Sequence, residues 1–325
     1  MINVLLEEML SSRDRRLLLL SVVSLAGVFT NKFSFFTRIM RSCGKFLICS
    51  TAALATLLRN VSSAVSSPGT PNATAEQLAN RQRSFSIGYV VFPGWEPLDV
   101  FGPLEILFEM SFYYKMTLSI ISKELGPVTT IVPPHIMKEG GPRMDVGFLL
   151  GPTITATHTP LNAPALDMLF VPGGEGNVVL AGANDTWVED FVASRYGQLD
   201  YLLSVCTGAA SLAKSGVLNG KRATTNKGAW SWVTTFGTNV TWVPSARWTV
   251  DGNVWTSSGV AAGLDMTYAF LKSVYGTDDL DPIMNSIEYA PHTNPHWDPF
   301  SVVHNVPGAD KNRSLVDCTG PVGYN

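Results

Sequence analysis

From about residue 84 onward, short apolar runs closed by Pro-Gly or Gly-Gly alternate with stretches of helical period. SIGYVVF at 86–92 is an unbroken apolar run stopped by Pro93-Gly94, the pattern of a strand buried on both faces. DVFGPLEILFEM at 99–110 carries apolar residues at 100, 101, 104, 107 and 108, the spacing of an amphipathic helix. KMTLSIIS (115–122), ALDMLFV (165–171), LDYLLSV (199–205) and the short RATT (222–225) predict further strands. Residues 186–195, TGAASLAKSGVL (207–218) and GAWSWVTTF (228–236) predict helices. RWTVDGNVWTSS (247–258) predicts a hairpin turning at Asp251-Gly252. GVAAGLDMTYAFLKSVYG (259–276) predicts a long helix. Residues 123–165, rich in Pro, Gly and Thr, predict a strand-poor excursion, and the six prolines of 277–325 an irregular tail that wraps the surface. Apolar strands alternating with helices imply an α/β fold, a mostly parallel sheet with helices on both faces.

The region before residue 84 has another character. Two apolar runs, 17–29 and 46–58, each have 13 residues, short of the roughly 20 a membrane-crossing helix needs. Arg41 and Lys45 precede the second, and the small, polar NVSSAVSSPGTPNATA follows it. A basic segment, an apolar segment and a small-residue exit describe a secretory signal peptide. Residues 1–64 are therefore expected to be an extension with a signal peptide around 40–64, Met40 being a candidate start, and 65–83 a polar linker. A membrane anchor or a transit peptide is the alternative reading of the same runs. Asn60, Asn72, Asn184, Asn239 and Asn312 each open an N-x-S/T triplet, which fits a secreted glycoprotein.

Composition narrows the functional classes. Charged residues are 15% of the 325, and the hydrophobic fraction is 46%, so a sizeable core can be buried and the composition points away from disorder. A net charge of −3 leaves no basic surplus for nucleic acid. Four cysteines without a CxxC pair, and five histidines without HExxH, give no metal or disulfide framework. No metal and no cofactor are expected; a small-molecule substrate and a homodimer are.

Chemistry-bearing residues gather at three strand ends, where ligands bind in open α/β sheets. In SVCTGAA (204–210), Cys206 stands between a strand and a helix with Gly208 two residues on, the form of a nucleophile elbow. A helix N-terminus lowers a thiol's pKa, so a resting thiolate is expected; a buried core cysteine is the bland alternative. In VPGGEG (171–176), Gly173 and Gly174 follow a strand and offer amides to an oxyanion, or simply a turn. In PGWEPLDVFGP (93–103), Asp99 enters a helix either as a functional acid or as an N-cap. Asp265 and Arg247 read as packing and ion-pair residues, and Trp95 as a pocket liner or a staple for its loop.

Together these strings resemble the ThiJ/PfpI (DJ-1/PfpI) family of the class I glutamine amidotransferase-like fold over about 84–276. The resemblance rests on FPGWEPLDVFGPLEIL, LDMLFVPGG, SVCTGAASLAKSGVLNGKRATTN and RWTVDGNVWTSSGVAAGLD, in that order. The LDVFGP and CTGA combination is most similar to the isonitrile hydratase branch and its fungal-type relatives. The resemblance implies a flavodoxin-like three-layer sandwich and catalysis by Cys206 and Asp99. It also implies that Gly173, Gly174 and Thr207 line an anion site. The implied reaction is a carbon–oxygen lyase step, hydration of an isonitrile to an N-substituted formamide. Glyoxalase- or hydrolase-like chemistry on a reactive carbonyl, or a non-enzymatic binding or redox-sensing role, are the alternatives. Many relatives read ATTH where this chain reads ATTNKGAW, so Asn226 stands at the histidine position. Asn cannot act as a general base, which argues against a Cys-His hydrolase. His135, His158, His292, His296 and His304 lie in no matching motif and read as surface residues.

Overall fold

The computed structural model describes residues 73–132, 149–313 and 315. The expected signal peptide, most of the linker, His135, Asn60, Asn72 and Cys318 lie outside the described residues. In chain order the strands are β1 (Phe85–Val90), β2 (Met116–Ile121), β3 (Gly126–Thr129), β4 (Thr153–Ala156), β5 (Met168–Val171), β6 (Tyr201–Ser204), β7 (Arg222–Ala223), β8 (Thr241–Trp242), β9 (Trp248–Asp251) and β10 (Val254–Ser257). The helices are α1 (Ala75–Asn80), α2 (Pro97–Met110), α3 (Glu175–Ala183), α4 (Trp187–Tyr196), α5 (Gly208–Lys214), α6 (Trp230–Val233), α7 (Ala262–Tyr275), α8 (Leu280–Ser286) and α9 (Phe300–Val303).

The central sheet runs β2-β1-β5-β6-β10-β9, parallel throughout except for the β10–β9 edge hairpin. Counting only its parallel strands, the order is 2-1-3-4-5, the flavodoxin-like arrangement. Strand order reverses between β1 and β5, and loops diverge there to leave a crevice. Helices cover both faces. Tyr89 of β1 stacks on Phe170 of β5 with ring centroids 5.1 Å apart, and Phe170 meets Phe270 of α7 edge-on at 6.3 Å. These fully buried rings lock sheet to helix directly below the crevice.

Four expectations are corrected. The end of the linker is not free chain: Thr74 and Gln77 form a capping box, and α1 docks on α7 through Asn80 Nδ2 to Val274 O at 3.1 Å. The excursion after β2 holds a two-stranded β3–β4 sheet. Helix α3 begins immediately after Gly174, where the Gly-Gly pair reads as a plain turn. The tail contains α8 and α9 and is inserted rather than draped: Asp298 and Ser301 are fully buried. Asp265 anchors it, accepting from the Tyr289 hydroxyl, from His292 N at 2.8 Å and from Arg247 Nε at 2.5 Å. Asp265 thus binds the tail to the start of β9. Asn184, Asn239 and Asn312 are exposed. Among the described residues, no helix is long and apolar enough to cross a membrane.

Candidate active site

Sheet register assembles the site. Val171 of β5 pairs with Ser204 of β6, so the residues two further on, Gly173 and Cys206, come side by side beyond the strand ends. Position 173 has no room for a side chain: a Cβ there would lie 2.6 Å from Thr207 N and Oγ1. Cys206 has φ +57°, the left-handed region, at a cost of about 1–2 kcal/mol for a residue with a Cβ. That strain is the mark of a nucleophile elbow. Thr225 Oγ1 donates to the Cys206 carbonyl at 2.9 Å and holds the turn in place.

The carboxyl comes from the first turn of α2. Pro97 fixes the helix start, so the N-cap is Glu96 and Asp99 is not a cap. Pro103, four residues after Asp99, has no N–H to give to the Asp99 carbonyl. The Tyr89 hydroxyl donates to that carbonyl instead, so the proline and the tyrosine are complementary. Asp99 is fully buried, and Oδ2 accepts the Gly173 amide at 2.7 Å. The carboxyl lies against the Cys206 thiol, and Oδ1 has no hydrogen-bond partner. Burial pushes the Asp99 carboxyl up to about 8, against the pull of the Gly173 amide. With Oδ2 committed as an acceptor, the proton belongs on the buried, unpartnered Oδ1.

The expected resting thiolate is corrected. Burial pushes the Cys206 thiol well above its ordinary value, and the neighbouring Asp99 carboxyl pushes it further. The Thr207 amide and Asn226 pull the other way and are outweighed. Helix α5 has only seven residues and cannot reverse that balance. Both groups hold their protons to higher pH than in water, each chiefly because it is buried.

Both amides offered to an oxyanion are already engaged, Gly173 N on Asp99 and Gly174 N on Thr207 Oγ1 at 3.0 Å. Thr207 Oγ1 in turn donates to Asn177 Oδ1 at 2.9 Å, so this hydroxyl braces the GG turn against α3. Asn226 does stand beside the cysteine: its Nδ2 donates to Cys206 Sγ at 3.2 Å, and its Oδ1 accepts the Ala229 amide at 3.0 Å. The second bond fixes which end of the amide faces sulfur. Trp95 is buried and staples its loop to β3, Nε1 donating to Val128 O at 3.1 Å. Arg247 sits in an ion pair with Asp265, as read from the sequence.

A cavity of about 240 Å³ opens beside this cluster, with Asn226, Lys227, Ser258, Asp298, Phe300 and His304 in its wall. Lys227 is buried, donating to Thr224 Oγ1 at 2.6 Å and Ala246 O at 2.8 Å; burial lowers its pKa to about 7. His304, read from the sequence as a surface residue, is exposed but packs over Gly228, where a Cβ would lie 3.5 Å from its ring. Tyr89, Lys227 and Phe300 went unread in the sequence, because what distinguishes each is a neighbour distant in the chain.

An open parallel sheet with a strained cysteine turn and a buried carboxyl at its switch point defines a flavodoxin-like protein of the cysteine-elbow class. The chain belongs to the DJ-1/PfpI family, whose profile matches residues 87–273. It is 32% identical over 209 residues to the isonitrile hydratase of Pseudomonas putida, covering 64% of this chain and 80% of that protein. Among solved structures it is similar to a ThiJ/PfpI family protein from Pseudomonas syringae, with a TM-score of 0.53, 26% identity and coverage of 70% and 84% of the two chains. Drosophila melanogaster DJ-1beta shares the fold at a TM-score of 0.50 and 18% identity, over 64% of this chain and all 100% of that one.

Proposed function

We propose that the protein hydrates a small isonitrile to the N-substituted formamide. The observation that carries this reading is the buried Asp99 carboxyl set against the Cys206 thiol, with Oδ1 unpartnered. An isonitrile carbon is both basic and electrophilic, so it needs a proton and a nucleophile at one atom. Asp99 Oδ1–H protonates the terminal carbon, Cys206 Sγ bonds to it, and the thiol proton passes to Asp99. The product is a thioimidate, R–N=CH–S. Asp99 then gives its proton to the imidate nitrogen and takes one from an attacking water, leaving R–NH–CH(OH)–S. Collapse to the formamide breaks the C–S bond, and the hydroxyl proton returns to sulfur through Asp99. The sum is one isonitrile plus one water.

Similarity to the Pseudomonas putida enzyme supports this reading. Asn226 on the sulfur supports it too, since a hydrolase would need a general base at that place. Purified protein is offered an alkyl isonitrile and, separately, methylglyoxal. Formamide production that Cys206→Ala abolishes is the expected result. Turnover of methylglyoxal alone would replace this reading with carbonyl chemistry.

A further inference from the structure

The family match ends at residue 273, yet Asp298, Phe300 and His304 line the cavity beside Cys206. We propose that the tail segment around 295–306 completes the substrate site, and that its cavity takes a short, neutral substituent ending in a hydrogen-bond donor. The proposal rests on Cys206 being the reacting residue.

Three observations carry it. The cavity is one side chain away from the sulfur: Asn226 donates to Cys206 Sγ at 3.2 Å and forms part of the cavity wall. A substituent that runs past Asn226 from a carbon bonded to sulfur enters this space, and about 240 Å³ admits only a short one. The tail is built in rather than loosely apposed: Asp298 N donates to Ser245 O at 2.7 Å, and Arg247 N to Pro295 O at 2.8 Å.

The third observation sets the ligand's chemistry. Ser258 and Asp298 are fully buried, and Ser258 Oγ and Asp298 Oδ2 have no hydrogen-bond partner in the protein. Unpaired buried oxygens of this kind are rare because each forfeits its hydration. Asp298 Oδ1 is held by the Phe300 amide at 3.0 Å, which fixes the carboxylate and leaves Oδ2 as an acceptor. An ammonium would meet Lys227 and Arg247 in the same wall, and an anion would meet Asp298. A neutral hydroxyl or amide N–H satisfies the acceptor without either conflict.

Binding of the product class tests this independently of turnover. Calorimetric titration of wild type compares N-(4-hydroxybutyl)formamide with N-pentylformamide, which has the same number of heavy atoms. The hydroxyl compound is expected to bind about tenfold more tightly, the scale of one hydrogen bond to a charged group. Asp298→Asn keeps an oxygen for the Phe300 amide and should bring the two affinities within about threefold of each other. Phe300→Ala should weaken both. If melting curves show that Asp298→Asn disturbs the tail, Ser258→Ala makes the same comparison at the other unpartnered oxygen. Equal wild-type affinities overturn the donor preference. Failure of both formamides to bind, or affinities unmoved by Phe300→Ala and His304→Ala, overturn the tail's part in the site. Tight, selective binding with no isonitrile turnover would instead overturn the hydratase reading and leave the pocket standing.

Discussion

Asp99 carries its proton into neutral pH because folding removes it from water, and this can be measured in two ways. Its folded pKa is about 8, against an ordinary 3.8. Between those values the folded protein keeps a proton that the unfolded chain releases, so stability is lost as pH rises through that window. Asp99→Asn removes the dependence while preserving shape. Urea denaturation should find the variant more stable than wild type at pH 7.5 and little different at pH 4. Isonitrile hydration by the same variant should fall by roughly 10²–10⁴, the usual contribution of a positioned acid–base group, and wild-type activity should decline above about pH 8. A variant that keeps full activity would reduce Asp99 to a structural acid. Position 99 and position 206 were readable in the sequence because strand-end punctuation marks them. Their proton affinities were not, since burial and the carboxyl–thiol contact arise only when β1 and β6 are brought together.

The same division holds for whole elements. Apolar-rich runs placed four strands of the central sheet, and the Asp251-Gly252 turn placed the β9–β10 hairpin, to within a few residues. Helix α3 was missed since GEGNVVLAGA carries three glycines, a composition that argues for a turn. Helix α2 starts at Pro97, ahead of the apolar period, because proline at the first turn needs no partner for its missing N–H. Its second proline has a consequence for stability. Tyr89 supplies the hydrogen bond that Pro103 withholds from the Asp99 carbonyl. Tyr89→Phe leaves that buried carbonyl unpaired, at a cost of about 1–3 kcal/mol, and loosens the turn that aims Asp99. Denaturation midpoints and kcat should both fall, with KM less affected. Unchanged stability would mean the first turn of α2 holds itself.

For the molecule as a whole, the outward side of α2 is the feature that folding leaves unresolved. The first, inward side packs Val100, Ile106, Leu107 and Met110 into the core. The outward side exposes Leu98 (42%), Phe101 (41%), Phe108 (56%) and, just past the helix end, Phe112 (70%). Phe108 and Phe112 stack edge-on with centroids 5.2 Å apart, presenting one aromatic surface instead of scattered side chains. Four exposed apolar side chains on one helix side, interrupted only by Glu105, on a chain with only 15% charged residues suit an association surface. Closed twofold pairing is the commonest way to cover one, because the same face serves both copies. The expected state is therefore a homodimer through α2, the helix that also carries Asp99, so that pairing would steady the acid's own scaffold. Light scattering should give twice the mass of one chain. Phe108→Glu with Phe112→Glu should give a folded monomer, since neither side chain contributes to the core. A wild-type protein that is monomeric at tens of micromolar would sink the dimer, and a double variant that stays dimeric would move the interface elsewhere.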